Sequence, residues 1–425
     1  MPAILISLLT LSVTVIFVEV ARRLAPAMGL IDSPNQRKAH EGDIPLVGGI
    51  AIFAGVLLVL AFKGSLADHW AFFLAAGLLV ATGIWDDIFG VSPHPRLIMQ
   101  SLAVLIIAVP GKGYISDLGT ILPIVGALSL GWMTIPFTVF AGVGMINAFN
   151  MSDGVDGLCG TLTLVALTGL GIAAGMAGRE SELMLILALA GAVIGFLMFN
   201  VRLPQRKQAM VFLGDAGSYL MGLSVIYLAM RLSQGQERAI TPVTALWFCM
   251  LPIFDTVGMI LRRVRRGQSP FSADREHLHH VFLLANFSVT TTWLAMTVVA
   301  TSGMIIGLFG FIAGISESIM FALFLVLGVV YYVMLMRTWK VLRFLSRSIN
   351  RRKMARVDRR VHGQQRKKNI GYFVNGVRVE RRSGTDRRHS DVGRRNSEEN
   401  TASTLTNLVA SNSSPKASDR AARVS

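Results

Sequence analysis

Four groups of acidic, amide and imidazole side chains in this chain are of the types that bind cations and handle phosphate. They are the pair Asp86-Asp87, the run NAFNMSDGVDGL over 147–158, the run FLGDAGS over 212–218 and the run DREHLHH over 274–280. Asn147, Asn150, Asp153 and Asp156 offer hard oxygen ligands suited to Mg2+, and Gly154 and Gly157 let backbone approach a ligand. Their spacing is not that of an EF-hand loop. Asp86 and Asp87 repel each other unless a cation or proton relieves them. Asp215 stands between glycines at the mouth of an apolar segment, where a carboxylate is costly unless paired, and Phe212 offers a flat face to a base or ring. His277, His279 and His280 beside Arg275 suit an anionic substrate better than zinc, since no cysteine or second histidine cluster completes a zinc site. A fifth stretch, DSPNQRKAHEGDIPLVGG over 32–49, carries Arg37, Lys38 and His40 as donors for phosphate oxygens. Its Pro34, Pro45 and paired glycines argue against a continuous helix there.

The elements that must position these groups are apolar. The chain has 425 residues, 52% hydrophobic and 16% charged, with its charges concentrated rather than interspersed, which marks an integral membrane protein. Apolar stretches near the roughly 20 residues that cross a bilayer begin around residues 3, 45, 69, 97, 121, 160, 183, 211, 239, 290 and 316. An all-α bundle of about eleven transmembrane helices is expected, the fourth of them short. The chemistry-bearing groups fall at alternate ends of these stretches, so one composite site on one face is expected.

Lys and Arg sort unevenly between the two sets of loops. Of 18 before Arg337, one set holds 13, and it is the set that carries the acidic and histidine clusters. The positive-inside bias then puts that face and the C-terminus in the cytoplasm and the N-terminus outside, in the periplasm. The first apolar stretch continues into Glu19, Arg22 and Arg23 and reads as a retained helix, with a local ion pair at helix spacing. Three parts are expected: a membrane domain over 1–340, a polybasic tail over 341–395 and a disordered Ser/Asn/Ala-rich end over 396–425. The net charge of +16 belongs mostly to residues 337–425, which hold 23 of the 41 Lys and Arg. Membrane lipid headgroups, rather than nucleic acid, are the partner such a tract implies. Asp255 lies near the same face and could support the site. Cys159 and Cys249 read as small apolar packers.

Taken together and in this order, DSPNQRKAH with PLVGG, Asp86-Asp87, NAFNMSDGVDGL, FLGDAGS and ADREHLHH resemble the polyprenyl-phosphate N-acetylhexosamine-1-phosphate transferases, over about residues 1–340. The resemblance implies a multi-pass enzyme of the bacterial inner membrane with a cytoplasmic site and Mg2+ as cofactor, Mn2+ being an alternative. It implies transfer of N-acetylglucosamine 1-phosphate from UDP-N-acetylglucosamine to undecaprenyl phosphate, with release of UMP, as the first lipid-linked step toward O-antigen or related surface polysaccharides. By motif, Asn150 and Asp215 would be metal ligands, and Asp86 and Asp87 would act near the lipid phosphate or the metal. Asp153 and Asp156 would serve the nucleotide and the catalytic geometry, Phe212 would stack on uracil, and His277, His279 and His280 would hold diphosphate. His277-Leu278-His279-His280 interrupts the histidine triplet of the related muramyl-pentapeptide enzymes, which favours a simple amino-sugar donor; other UDP-N-acetylhexosamines stay open. So do single and double displacement, and a homodimer. The competing class is a secondary transporter, but transporters carry ionisable groups near the midplane and in matching halves, neither of which is visible here.

Overall fold

A computed structural model describes residues 3–33, 42–124, 126–202, 205–206, 208–269 and 277–337, with a two-residue strand pair, Phe373–Val374 against Val377–Arg378. That pair belongs to a second unit, Arg351–Ser425, separate from the unit Met1–Asn350. Arg37, Lys38, His40 and Arg275 lie outside the described residues, as does nearly all of the tail.

The first unit is built of helices. They are α1 (Ala3–Met28), α2 (Gly48–Lys63), α3 (Trp70–Phe89), α4 (Pro93–Ala108), α5 (Thr134–Met151), α6 (Leu158–Met176) and α7 (Glu180–Asn200), followed by α8 (Gly214–Ser233), α9 (Pro242–Phe248), α10 (Met250–Arg265), α11 (Leu278–Leu284), α12 (Val289–Ile312) and α13 (Glu317–Arg337). Ten of the eleven apolar stretches correspond to a helix or, for the ninth, to the pair α9 and α10, and the fifth corresponds only in its later part. Among the described residues seven helices are long and apolar enough to cross a membrane, or eight if α9 and α10, bent by 83° at their junction, count as one span. The chain is thus an all-α polytopic membrane protein. The helices α2 and α4 have 16 residues each, and α8 has 20 but is less apolar.

Helix α8 runs through the centre: 18 of its 20 residues are buried, against α2, α3, α5 and α6. With no water in the bilayer core and little hydrophobic drive between helices, close backbone approach through small residues holds such a bundle. A Cβ on Gly222 of α8 would come 2.6 Å from the Ile146 backbone of α5, and one on Gly191 of α7 would overlap the Ser7 carbonyl of α1. Glu19 pairs with both Arg22 and Arg23 as its helix spacing predicts.

Two local expectations need correction. The fifth helix does not start near residue 121: residues 115–130 form a loop with bridges Asp117 to Ser129 and Leu122 to Gly126, because Gly119, Pro123 and Gly126 interrupt its apolar run. Gly48 and Gly49 do not break a helix; they begin α2. A Cβ on Gly49 would overlap the Gly217 backbone of α8, so these glycines serve helix contact.

The two ends of the bundle carry separate polar networks. At the end where α8 finishes, buried Glu182 accepts from Arg179 at 2.6 Å and Arg231 at 2.9 Å, and His69 meets Tyr227 at 2.9 Å. A cavity of about 500 Å³ opens there, lined by Arg179, Glu182, Arg231 and residues 234–237. The acidic and histidine clusters meet at the other end, where α8 begins.

Candidate active site

The site is organised by the first turn of α8. Gly214 adopts a left-handed conformation (φ +74°) as the chain turns into the helix. Phe212 precedes it in extended backbone: its amide donates to the Pro45 carbonyl at 2.8 Å, and its own carbonyl accepts from the Gly48 amide at 3.0 Å. The loop before α2 and the start of α8 are thereby tied together. The turn is gripped from both sides, since a Cβ on Gly49 of α2 or on Gly83 of α3 would overlap the backbone of residues 215–217. Asp215 is thus fixed by backbone packing before any ligand is considered.

Asp86 and Asp87, adjacent at the end of α3, face different partners. Asp86 is buried and accepts from Arg96 at 3.0 Å and the Tyr219 hydroxyl at 2.9 Å through Oδ2, and from the Val91 amide at 2.8 Å through Oδ1. Both of its oxygens are occupied. Asp87 Oδ1 accepts from the Asp215 amide at 3.0 Å, capping α8 from another helix, while its buried Oδ2 has no hydrogen-bond partner. The helix terminus beside it carries partial positive charge, an environment that favours anions.

From α5, Asn150 Nδ2 donates to Asp215 Oδ1 at 2.6 Å and to Ser218 Oγ at 2.9 Å. Asn147 turns away and pairs with Gln100 of α4 at 2.6 Å. The loop after α5 is pinned to the end of α7: Arg202 binds Asp156 at 2.6 Å, and Asn200 accepts from the Gly157 amide at 2.6 Å. Asp153 is crowded among neighbours; burial first, then the negative Asp215, Asp156 and Asp87, push its carboxyl well above the usual range.

The histidines close over this loop. His277 Nδ1 lies 2.8 Å from Asp255 Oδ2 on α10. His279 is 1% exposed and neither of its ring nitrogens has a partner; burial, with His280 second, pushes it down to about 3. Its ring lies against Gly154, so closely that a Cβ there would overlap it. The His277 and His279 rings are parallel within 6° at 5.8 Å.

Asp86, Asp87, Asn150, Asp153, Asp156, Asp215, His277 and His279 therefore meet at one end of the bundle, with His280 beside them at 4.2 Å from His279 between ring centres. Phe212 adjoins them through its backbone. Sequence reading passes over Tyr219 and Asn200 and counts Arg96 and Arg202 only as loop charges. A basic residue after each helix end was the available signal, but which acid it would face was not readable.

As for a cation, among the described residues no three His, Cys, Asp or Glu side chains stand close enough to hold one as they are. The oxygen chemistry nevertheless fits a hard ion: an orphaned, buried Asp87 Oδ2, with Asp215 next to it and Asp153 repelled by both. Asn150 presents nitrogen to Asp215, so its service as an oxygen ligand requires the amide to turn over.

The chain is similar along most of its length to known proteins. Residues 69–233 match the family model described as glycosyl transferase family 4, a stretch containing Asp86, Asp87, Asp153, Asp156 and Asp215. The chain is 38% identical over 349 residues to the undecaprenyl-phosphate alpha-N-acetylglucosaminyl 1-phosphate transferase of Yersinia pestis, covering 81% of this chain and 94% of that one. Proteins of the same name from Escherichia coli K12 and Haemophilus influenzae are 38% and 36% identical, each over 79% of this chain and over 91% and 94% of their own lengths.

Proposed function

The chain belongs to glycosyl transferase family 4, and from that premise we propose that it transfers N-acetylglucosamine 1-phosphate from UDP-N-acetylglucosamine to undecaprenyl phosphate, releasing UMP. The reading is carried by the gathering of sequence-distant acids at the start of α8, in a bundle similar along its length to the transferases named above. The product is the first lipid-linked intermediate of a surface polysaccharide. The protein crosses the bacterial inner membrane eleven times, with its N-terminus periplasmic and its site facing the cytoplasm, an orientation supported by the surplus of Lys and Arg in the loops around the site.

In the reaction an oxygen of the lipid phosphate forms a bond to the sugar-bearing phosphorus as the bond from that phosphorus to the UMP oxygen breaks. Asp87 is the better base of the adjacent pair: its buried Oδ2 has no hydrogen-bond partner, whereas Asp86 is occupied by Arg96, Tyr219 and the Val91 amide. Asp86 instead braces the end of α3 against α4 and α8. The histidines sit where donors to a diphosphate are needed, and Asp156 with Arg202 holds the loop that carries Asp153. Mg2+, or Mn2+ in its place, would be held by Asp215, with Asn150 once its amide turns, and would neutralise charge on the transferring phosphoryl group. Direct displacement is favoured over a phosphorylated aspartate, because fixed cations and the helix terminus stabilise in-line transfer without a covalent intermediate.

The test is transfer of label from UDP-N-acetylglucosamine to undecaprenyl phosphate by the purified protein, with and without Mg2+, beside Asp215→Asn at equal abundance. Mg2+-dependent lipid product that vanishes in the variant is expected. Product only with a different UDP-amino sugar would correct the donor, and no product with any donor would overturn the reading.

A further inference from the structure

The histidine segment is anchored by one buried carboxylate that belongs to none of the acidic motifs. Asp255, 3% exposed, sits in α10 beyond the 83° bend. Its Oδ2 lies 2.8 Å from His277 Nδ1, and its Oδ1 accepts from the Leu278 amide at 3.1 Å, at the first residue of α11. His277 is the N-cap of that helix and supplies no side-chain cap of its own, so Asp255 takes the place of the cap from a different element. Asp255 is in turn held by the Tyr331 hydroxyl of α13 at 2.8 Å. Phe254, its neighbour in sequence, meets the Tyr331 ring at 5.8 Å and Phe324 at 4.7 Å.

This arrangement settles which imidazole nitrogen faces which way. With Nδ1 engaged by a carboxylate, the proton shared between them stays on that side, and Nε2 is the nitrogen presented elsewhere. The imidazole of His277 stacks parallel on His279, and His279 covers Gly154 beside Asp153. A displacement of Asp255 would therefore reach the acidic loop through two rings. A buried carboxylate with three donors is a rigid anchor, because each bond restricts it in a different direction and the low-dielectric surroundings strengthen all three.

We propose that Asp255, braced by Tyr331, is a positioning residue for the donor substrate: it fixes the ring orientation and tautomer of His277 so that Nε2 meets the diphosphate of the nucleotide sugar. The proposal rests on the transferase reading above. Asp255 touches no substrate and acts through His277.

A double-mutant cycle with separate kinetics for the two substrates tests it. Asp255→Asn loses a charged hydrogen-bond partner and is expected to raise the KM for UDP-N-acetylglucosamine roughly 10- to 100-fold, with the KM for the lipid phosphate unchanged. Tyr331→Phe keeps the ring in place and removes only the hydroxyl; it is expected to shift the same KM in the same direction by roughly threefold to tenfold. In a His277→Ala background, Asp255→Asn should cost little more, because the two residues act as one unit. Nitrogen NMR of His277 in the full-length protein should report the Nδ1-protonated form in wild type and a tautomer mixture in Asp255→Asn.

Additive effects of Asp255→Asn and His277→Ala, or Tyr331→Phe with lowered thermal stability and an unchanged KM for the nucleotide sugar, would reduce Asp255 to a structural group and overturn the proposal. Binding of UDP to the wild-type protein separates the two levels: if wild type neither binds UDP nor turns over, the transferase reading itself has failed.

Discussion

At the scale of single residues, the division of labour between Asp86 and Asp87 is the sharpest consequence of the geometry. Adjacent on one helix, they point about 100° apart around its axis, which lets one carboxylate take three donors while the other keeps an oxygen without a hydrogen-bond partner. Asp87→Asn should lower kcat by roughly 10²- to 10⁴-fold, the range for loss of a general base, with thermal stability near wild type. Asp86→Asn should show the reverse weighting, a lower melting temperature and a smaller loss of kcat, because it strips a partner from Arg96 and Tyr219; equal kcat losses at unchanged stability would refute the assignment. His279 gives a prediction in pH. Its folded value of about 3 lies below the ordinary 6.5, so between these values the unfolded chain takes up a proton that the folded one refuses. Stability falls as pH drops below about 6.5, by at most about 1.4 kcal/mol per unit. His279→Gln should lose less melting temperature than wild type between pH 6.5 and pH 5; equal losses would show that the ring is not held neutral. Residue types announced much of this site, since Asp, Asn and His clustered at apolar boundaries have few other uses. Their partners were less visible: that Arg96 faces Asp86 and that Asn147 turns to Gln100 depends on how helices rotate about their axes, which spacing alone leaves open.

At the scale of elements, the site depends on how closely α8 can be approached. Gly83 of α3 has the backbone of Asp215 and Ala216 where a Cβ would go, whereas a Cβ on Gly77, two turns earlier on the same helix, would meet only Phe53 at 3.6 Å, an ordinary contact. Gly83→Ala is therefore expected to cost about 1–3 kcal/mol by overpacking and to lose most of the activity by displacing Asp215, with Gly77→Ala close to wild type in both. Purified variants compared by thermal unfolding and by label transfer check this, and matching behaviour of the two would remove the steric argument. Helix positions were legible because long apolar runs admit little else in a membrane. The loop over 115–130 was not, since its apolar residues outweighed Gly119, Pro123 and Gly126 as a span signal; nor was the role of Gly48 and Gly49, which in isolation resemble a loop.

At the scale of the whole molecule, the bundle has two chemically distinct ends, roughly 30 Å apart along the 20 residues of α8. Every described residue proposed for catalysis lies at one of them, and within the unit Met1–Asn350. A chain ending at Asn350 should therefore insert normally and retain transferase activity in membranes; complete loss with normal insertion would make the basic tail part of the catalytic machinery. The face on which the site opens follows from 13 of 18 basic residues, an asymmetry that needs no three-dimensional information, whereas at the other end only the i,i+3 pair Arg179 and Glu182 is local, and the part Arg231 takes in that network emerges only when α7 and α8 are placed together.

The central position of α8 also bears on how the protein is made. It carries Asp215, Ser218, Tyr219, Ser224, Tyr227 and Arg231 and is not among the seven helices apolar enough to enter a bilayer on composition alone. Yet α2, α3, α5 and α6, which surround it, all precede it in the chain. During synthesis α8 leaves the ribosome after the four helices that surround it, so its integration is expected to be an act of assembly with earlier helices rather than of partitioning into lipid, and the order of segments along the chain helps to admit so polar a helix.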